Sequence, residues 1–147
     1  MSKINLDYIA GFFDGEGCIS ITKRAQRKEN RSPEYKPVVV VSNINREVLI
    51  FFKELFGGYV YLDRRPKSVK IRPNQRPLYR WVIMNTGAYN FCKKMKDKLF
   101  LKRKNAEVLI EFYDSGKYLS KVNKVNELKR RNELYLKIRE LNKRGIF

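Results

Sequence analysis

The sequence predicts an α+β fold assembled from helix–strand–strand units, and three observations predict it. Apolar residues recur at helical spacing before Phe13 and again from Asn45 to Phe56. Strict two-residue alternation marks Cys18–Thr22, and strand-forming residues fill Pro37–Asn43, Tyr59–Leu62 and Leu78–Met84. The order helix, strand, strand then occurs twice, giving an αββαββ plan from periodicity alone. At 147 residues the chain fits one domain with a real core, and no low-complexity linker divides it.

Each element has a local reason. Asn5 can cap a helix running through about Phe13, after which Gly15 and Gly17 permit a sharp turn on either side of Glu16. Cys18–Thr22 follows as a half-buried strand, and a basic loop, Lys23 to Lys36, leads into the Pro37–Asn43 strand. Asn45 caps a second helix that stops at Gly57–Gly58, where left-handed backbone ends a helix without penalty. Tyr59–Leu62 and Leu78–Met84 pair as the second hairpin, and Thr86 could cap a helix from about Ala88 to Lys98. Tyr59, Tyr61, Trp81 and Phe91 are expected in the core. The remainder, Lys102 to Phe147, reads as further helices broken near Ser115–Gly116. A core of about residues 1–115 with a basic helical extension of about 116–147 is the expected division.

Charge narrows the partner. Lys and Arg number 33 against 15 acids, a net charge of +18 and a pI near 10.1. Self-repulsion on that scale destabilises a compact chain and is best explained by a polyanion, with nucleic acid foremost. The basic residues are spread over strands, turns and helices, which disfavours a membrane-surface helix. No apolar run is long enough to span a bilayer and the first residues lack a signal-peptide core, so an intracellular, cytoplasmic protein that is not secreted is expected, with an organelle as the secondary location. The chain has no histidine, which excludes histidine-base nucleases, His-containing triads and zinc fingers. Hydrolysis would have to run on carboxylates, lysines and metal-held water. Cys18 and Cys92 lack CxxC spacing and read as buried free thiols.

One string carries more than composition does. In Tyr8 to Gly17, YIAGFFDGEG, Ile9, Phe12 and Phe13 form an apolar helix face, while Ala10 and Gly11 leave almost no side chain where a second backbone could approach. Gly11 in mid-helix costs about 1 kcal/mol relative to Ala and asks for a packing reason. Position by position, Ile9 to Gly17 resembles the LAGLIDADG homing endonuclease motif, keeping the small pair, the apolar pair, both acids and both flanking glycines. The final acid is Glu rather than Asp, and the family pattern accepts either.

The resemblance implies an αββαββα fold whose antiparallel sheet binds DNA, with extra C-terminal helices here. It implies metal-dependent hydrolysis of duplex DNA, with Glu16 and the backbone carbonyl of Gly15 holding Mg²⁺. Mn²⁺ would substitute, and Ca²⁺ would support binding without efficient cleavage. Asn43 falls where the family keeps a polar residue that orients water, and Lys102 aligns with a basic residue of the water network, a shift of two selecting Lys104 instead. Arg46 is an accessory candidate. A second motif copy would be needed within a monomeric member, but Ile110 to Lys117 puts Glu111 at the close-packing glycine and Gly116 at the metal acid. A single motif therefore implies a symmetric homodimer, with Ile9, Ala10, Gly11, Phe13 and Asp14 at its interface and two Glu16 residues beside the two scissile phosphates. Asp14 is also expected to hydrogen-bond at a helix end.

Two basic stretches are expected on the DNA. The first holds Lys23, Arg24, Gln26, Arg27, Lys28, Arg31 and Lys36; the second holds Arg64, Arg65, Lys67, Lys70, Arg72, Gln75, Arg76 and Arg80, against Asp63 as its sole acid. The tail from Lys117 to Arg144 interleaves ten bases with three glutamates, as a solvated helix face does. By resemblance the product is a long pseudo-palindromic site cut to short 3′ overhangs, in the service of intron mobility. The alternatives are an RNA maturase, which would make RNA the partner, and a non-cleaving DNA-binding regulator.

Overall fold

The computed structural model describes residues 5–25, 33–64, 76–116 and 124–143. In chain order the elements are α1 (Leu6–Glu16), β1 (Gly17–Arg24), β2 (Glu34–Asn43), α2 (Arg46–Phe56), β3 (Tyr59–Leu62), β4 (Tyr79–Met84), α3 (Thr86–Met95), α4 (Arg103–Gly116) and α5 (Lys124–Leu141). The four strands form one antiparallel sheet in the order β1-β2-β4-β3. Ile19, Ile21, Val39, Val41, Trp81 and Ile83 point to one face and merge with apolar side chains of all five helices into a single core. The alternate residues form the other face.

Side-chain caps start the first two helices as expected. Asn5 accepts from the Asp7 amide at 2.8 Å, and Asn45 accepts from the amides of Glu47 and Val48. At the far end of α2, Gly57 and Gly58 both adopt the left-handed region, with φ 84° and 87°. The Trp81 indole donates to the Gly57 carbonyl at 2.8 Å, which joins this turn to the sheet. Trp81 then packs among Phe13, Phe52, Phe56 and Phe91, whose ring centroids lie 4.8–5.0 Å apart at the tightest contacts.

Several expectations shift. Helix α1 continues through Gly15 to Glu16, because the Gly17 amide closes the last turn onto the Phe13 carbonyl. Neither Gly15 nor Gly17 has positive φ. Gly17 is needed for space, since a Cβ there would collide with the Phe13 ring. The first hairpin extends into the basic loop, pairing Lys23 with Tyr35 and Arg24 with Glu34. Helix α3 starts at Thr86 after Asn85, a non-glycine residue at φ 56°, and the Thr86 hydroxyl bonds the Tyr113 hydroxyl instead of capping. Trp81 and Phe91 are core, but Tyr59 and Tyr61 lie on the outer sheet face, Tyr59 at 69% exposure. Cys92 is buried and Cys18 is exposed, and neither is in a disulfide.

The C-terminal helix belongs to the core. Leu134 and Ile138 are enclosed with the residues of α1 and the sheet. Asn142 donates to the Ile19 carbonyl of the edge strand β1 at 2.9 Å and accepts from the buried Asn105 at 2.8 Å. An outer edge that could template pairing with another chain is thereby covered. Arg131 lies 4.8 Å over the Phe112 ring, where burial lowers its pKa against the opposing pull of Glu127.

Candidate active site and nucleic-acid interface

Helix α1 runs into β1 without a loop, so Glu16, the last helical residue, stands exposed where the sheet begins. The turn before α4 is fastened to the same place. Asp14 accepts from the Phe100 amide at 2.7 Å and the Lys102 amide at 3.1 Å, and the Lys102 ammonium donates to the Asp14 carbonyl at 2.6 Å. A second tie joins Lys98 to Asp7 at 2.7 Å. The anion beside the start of α4 and the cation at the carbonyl end of α1 both suit the helix dipoles. Asn43 ends β2, two residues beyond Val41, which pairs with Gly17. Its side-chain oxygen accepts from the Asn45 amide at 2.8 Å and shapes the entry to α2. Glu16, Gly15, Asn43 and Lys102 therefore gather at one end of the sheet. Lys104 and Arg46 are exposed on α4 and α2.

The donor set at that end is hard oxygen: one carboxylate and the carbonyls of a helix C-terminus, which attract cations and suit Mg²⁺ or Ca²⁺. Among the described residues no three His, Cys, Asp or Glu side chains cluster closely enough to hold a metal. The described residues of one chain therefore offer oxygen donors at this end of the sheet, Glu16 and the Gly15 carbonyl among them, without closing around a cation.

The interface set divides by helix geometry. At 3.6 residues per turn, Ile9, Ala10 and Phe13 face inward, and all three are buried in the chain's own core. They are corrected from interface to core residues, because a second copy cannot reach enclosed side chains. Asp14 is committed to the 100–102 turn. Gly11 remains open, and Gly15, not expected there, joins it: a Cβ on either would meet nothing within 4 Å. Tyr8, 55% exposed and stacked on Phe12, completes this face.

Strand alternation sorts the proposed DNA contacts in the same way. Lys23 lies on the helix side, where its ammonium donates to Asn132 at 2.9 Å and sits 5.6 Å from the Tyr35 ring centroid and 5.7 Å from that of Tyr135. In this structure it clasps α5 onto β1, on the sheet face opposite the other expected contacts. Arg24, Lys36 and Arg80 lie on the outer face, and Arg64 and Arg76 are exposed beside the second hairpin. Gln26, Arg27, Lys28, Arg31, Arg65, Lys67, Lys70, Arg72 and Gln75 lie outside the described residues. Ser42, Tyr61 and Asp63 went unnoticed in the sequence as companions of Arg80. The Arg80 guanidinium donates to Ser42 Oγ at 3.3 Å and to Asp63 Oδ2 at 3.2 Å. Only the pairing register reveals this cluster.

Among the described residues no helix is long and apolar enough to cross a membrane. A comparison with curated protein sequences finds no match. Solved structures do match over nearly the whole chain. The archaeal intron-encoded homing endonuclease I-Vdi141I, complexed with DNA, is 26% identical at a TM-score of 0.72, covering 95% of this chain and 85% of its own. The homing endonuclease I-CvuI, in complex with an I-CreI target in the presence of Mg with the DNA not cleaved, is 18% identical at 0.74, with 97% and 84% covered. The LAGLIDADG homing endonuclease I-LtrWI, bound to target DNA, is 18% identical at 0.69, but the match spans 93% of this chain and 45% of that one. The LAGLIDADG endonuclease family model matches residues 9–104, which include the motif, the whole sheet and the Asp14–Lys102 junction, and the chain belongs to that family.

Proposed function

We propose that this chain is a homodimeric, Mg²⁺-dependent homing endonuclease that cuts both strands of duplex DNA at a long pseudo-palindromic site. Short 3′ overhangs and intron mobility follow as parts of the same reading. The observation that carries it is the placement of Glu16 at the end of a helix whose Gly11–Gly15 face is open and at the margin of an open sheet face. Two copies joined along that helix face would set two carboxylates side by side under a continuous DNA-binding surface. The half-length match to I-LtrWI agrees with a site that needs two such domains, and the intron-encoded, DNA-bound I-Vdi141I agrees with the substrate and the biological role.

A divalent cation held there would make bound water more acidic and steady the leaving oxygen. The protein's own part is positional. Glu16 and the Gly15 carbonyl present oxygens, Asn43 offers an amide to orient water, and Lys102 sets positive charge where the phosphorane gains negative charge.

The test is a selection of cleaved duplexes from a randomised pseudo-palindromic library, run in Mg²⁺, in Ca²⁺, and with Glu16→Gln in Mg²⁺. A defined two-half-site sequence, cut only by the unaltered protein in Mg²⁺, is expected. Binding without cutting under every condition would sink the nuclease reading in favour of the maturase or the regulator.

A further inference from the structure

The outer sheet face is ordered into cross-strand rows, and its rows differ in chemistry. Tyr61, Arg80 and Ser42 stand abreast on β3, β4 and β2. The next outer row holds Tyr59, Val82, Val40 and Cys18. Gly17, the residue after Glu16, pairs with Val41, so Ser42 and the Arg80 row lie at the Glu16 end of the sheet. The valine row lies one step farther from the proposed cleavage centre.

The Arg80 guanidinium is held on one side by Ser42 and on the other by Asp63, and its side chain keeps 38% exposure. A guanidinium oriented in advance loses little freedom when it forms two parallel hydrogen bonds, and in the major groove its match is guanine O6 and N7. At the middle of that row Val40 and Val82 have no side-chain donor or acceptor to offer, and their complement in the groove is the thymine methyl group, while the polar tips of Tyr59 and Cys18 lie at its two ends. Two residues along a strand advance about 6.7 Å, which equals about two base-pair steps of B-DNA.

From this match we infer that each half-site is read as a G·C pair by Arg80 and, two base pairs farther from the centre, as an A·T pair whose methyl meets Val40 and Val82. Asp63 and Ser42 are positioning residues for Arg80. The inference rests on the proposed DNA-cleaving function and specifies its substrate.

The experiment selects bound duplexes in Ca²⁺ from a library randomised across one half-site, using the full-length protein, Arg80→Gln, Asp63→Asn and Val82→Asn. Thermal unfolding checks that each variant folds. The unaltered protein should prefer G·C at one position by about 5- to 150-fold and A·T two pairs outward. Arg80→Gln should lose the guanine preference and keep the outer one; Val82→Asn should do the reverse. Asp63→Asn should shrink the guanine preference while leaving the outer one intact. If folded Arg80→Gln binds every sequence more weakly with an unchanged base profile, Arg80 is a phosphate contact and the inference falls. If no duplex is enriched by any form, the endonuclease reading falls with it.

Discussion

Substituting Gly11 separates the helix as it stands in one chain from the helix as half of a seam. Within the chain, a Cβ at Gly11 meets nothing within 4 Å. Gly11→Ala should then gain helix propensity of about 0.5–1 kcal/mol. For a domain of this size that raises the melting temperature of the monomer by about 1–4 °C. In a twofold dimer each substitution appears twice, and two methyl groups forced between closely approaching backbones cost about 1 kcal/mol apiece or more. A loss of about 2 kcal/mol weakens association roughly 30-fold. Sedimentation velocity over a concentration series measures this directly, because the monomer has a mass of 17.6 kDa and the dimer twice that. The expected result is a dimer that Gly11→Ala dissociates at concentrations where the unaltered protein stays paired, while the dissociated variant melts higher. A monomer at every concentration, or a dimer indifferent to the substitution, would refute pairing through this face.

Four further outcomes follow from the packing. Gly17→Ala should act with the opposite sign, lowering stability by about 1–3 kcal/mol in thermal unfolding, because its Cβ would press into the Phe13 ring. Ile138→Ala should cost about 2–4 kcal/mol and lower the melting temperature by about 5–15 °C, since Ile138 is wholly enclosed; a change below 1 °C would show that α5 is a detachable tail. A thiol-reactive dye should label one cysteine of the native protein, Cys18, and the second only after denaturation. Burial pushes the Cys92 thiol up, so the folded state keeps a proton that the unfolded state releases. Stability from this group is therefore full at neutral pH and falls as pH rises above about 9, a decline that Cys92→Ala should lessen in denaturant melts.

The sequence disclosed most where a local rule decides the outcome. Asn5 and Asn45 cap their helices through their own side chains, and Gly57–Gly58 supplies the positive-φ backbone that ends α2. It disclosed less where a second element decides. Lys23 is as basic as Arg24, yet one residue of strand register turns it towards Asn132 and the tyrosines instead of outward. Ile138 sits in a segment with more charged than apolar residues, and its burial depends on the edge of β1 being available. Tyr59 has the composition of a core residue, but its register partner Val82 lies on the outer face. Glu16 was legible because its motif is local. The Arg80–Asp63–Ser42 cluster was not, because it joins three strands.

A nine-residue string can serve packing, pairing and chemistry together because helix periodicity assigns those tasks to different residues. Ile9, Ala10 and Phe13 turn inward and tie α1 to the sheet. Gly11 and Gly15 turn outward and leave a surface that admits close approach. Asp14 spends its carboxylate on two amides of the 100–102 turn, which leaves Glu16 as the acid exposed at the helix exit. The order matters physically. If the two acids exchanged tasks, a metal-binding carboxylate would be locked in hydrogen bonds to Phe100 and Lys102, and the turn carrying Lys102 would lose its anchor. By ending at Glu16 and passing at once into β1, the helix also fixes the distance between the proposed cleavage centre and the first outer row of the sheet. In the proposed endonuclease, the position of the cut relative to the bases read would thus be set by the continuity of one backbone.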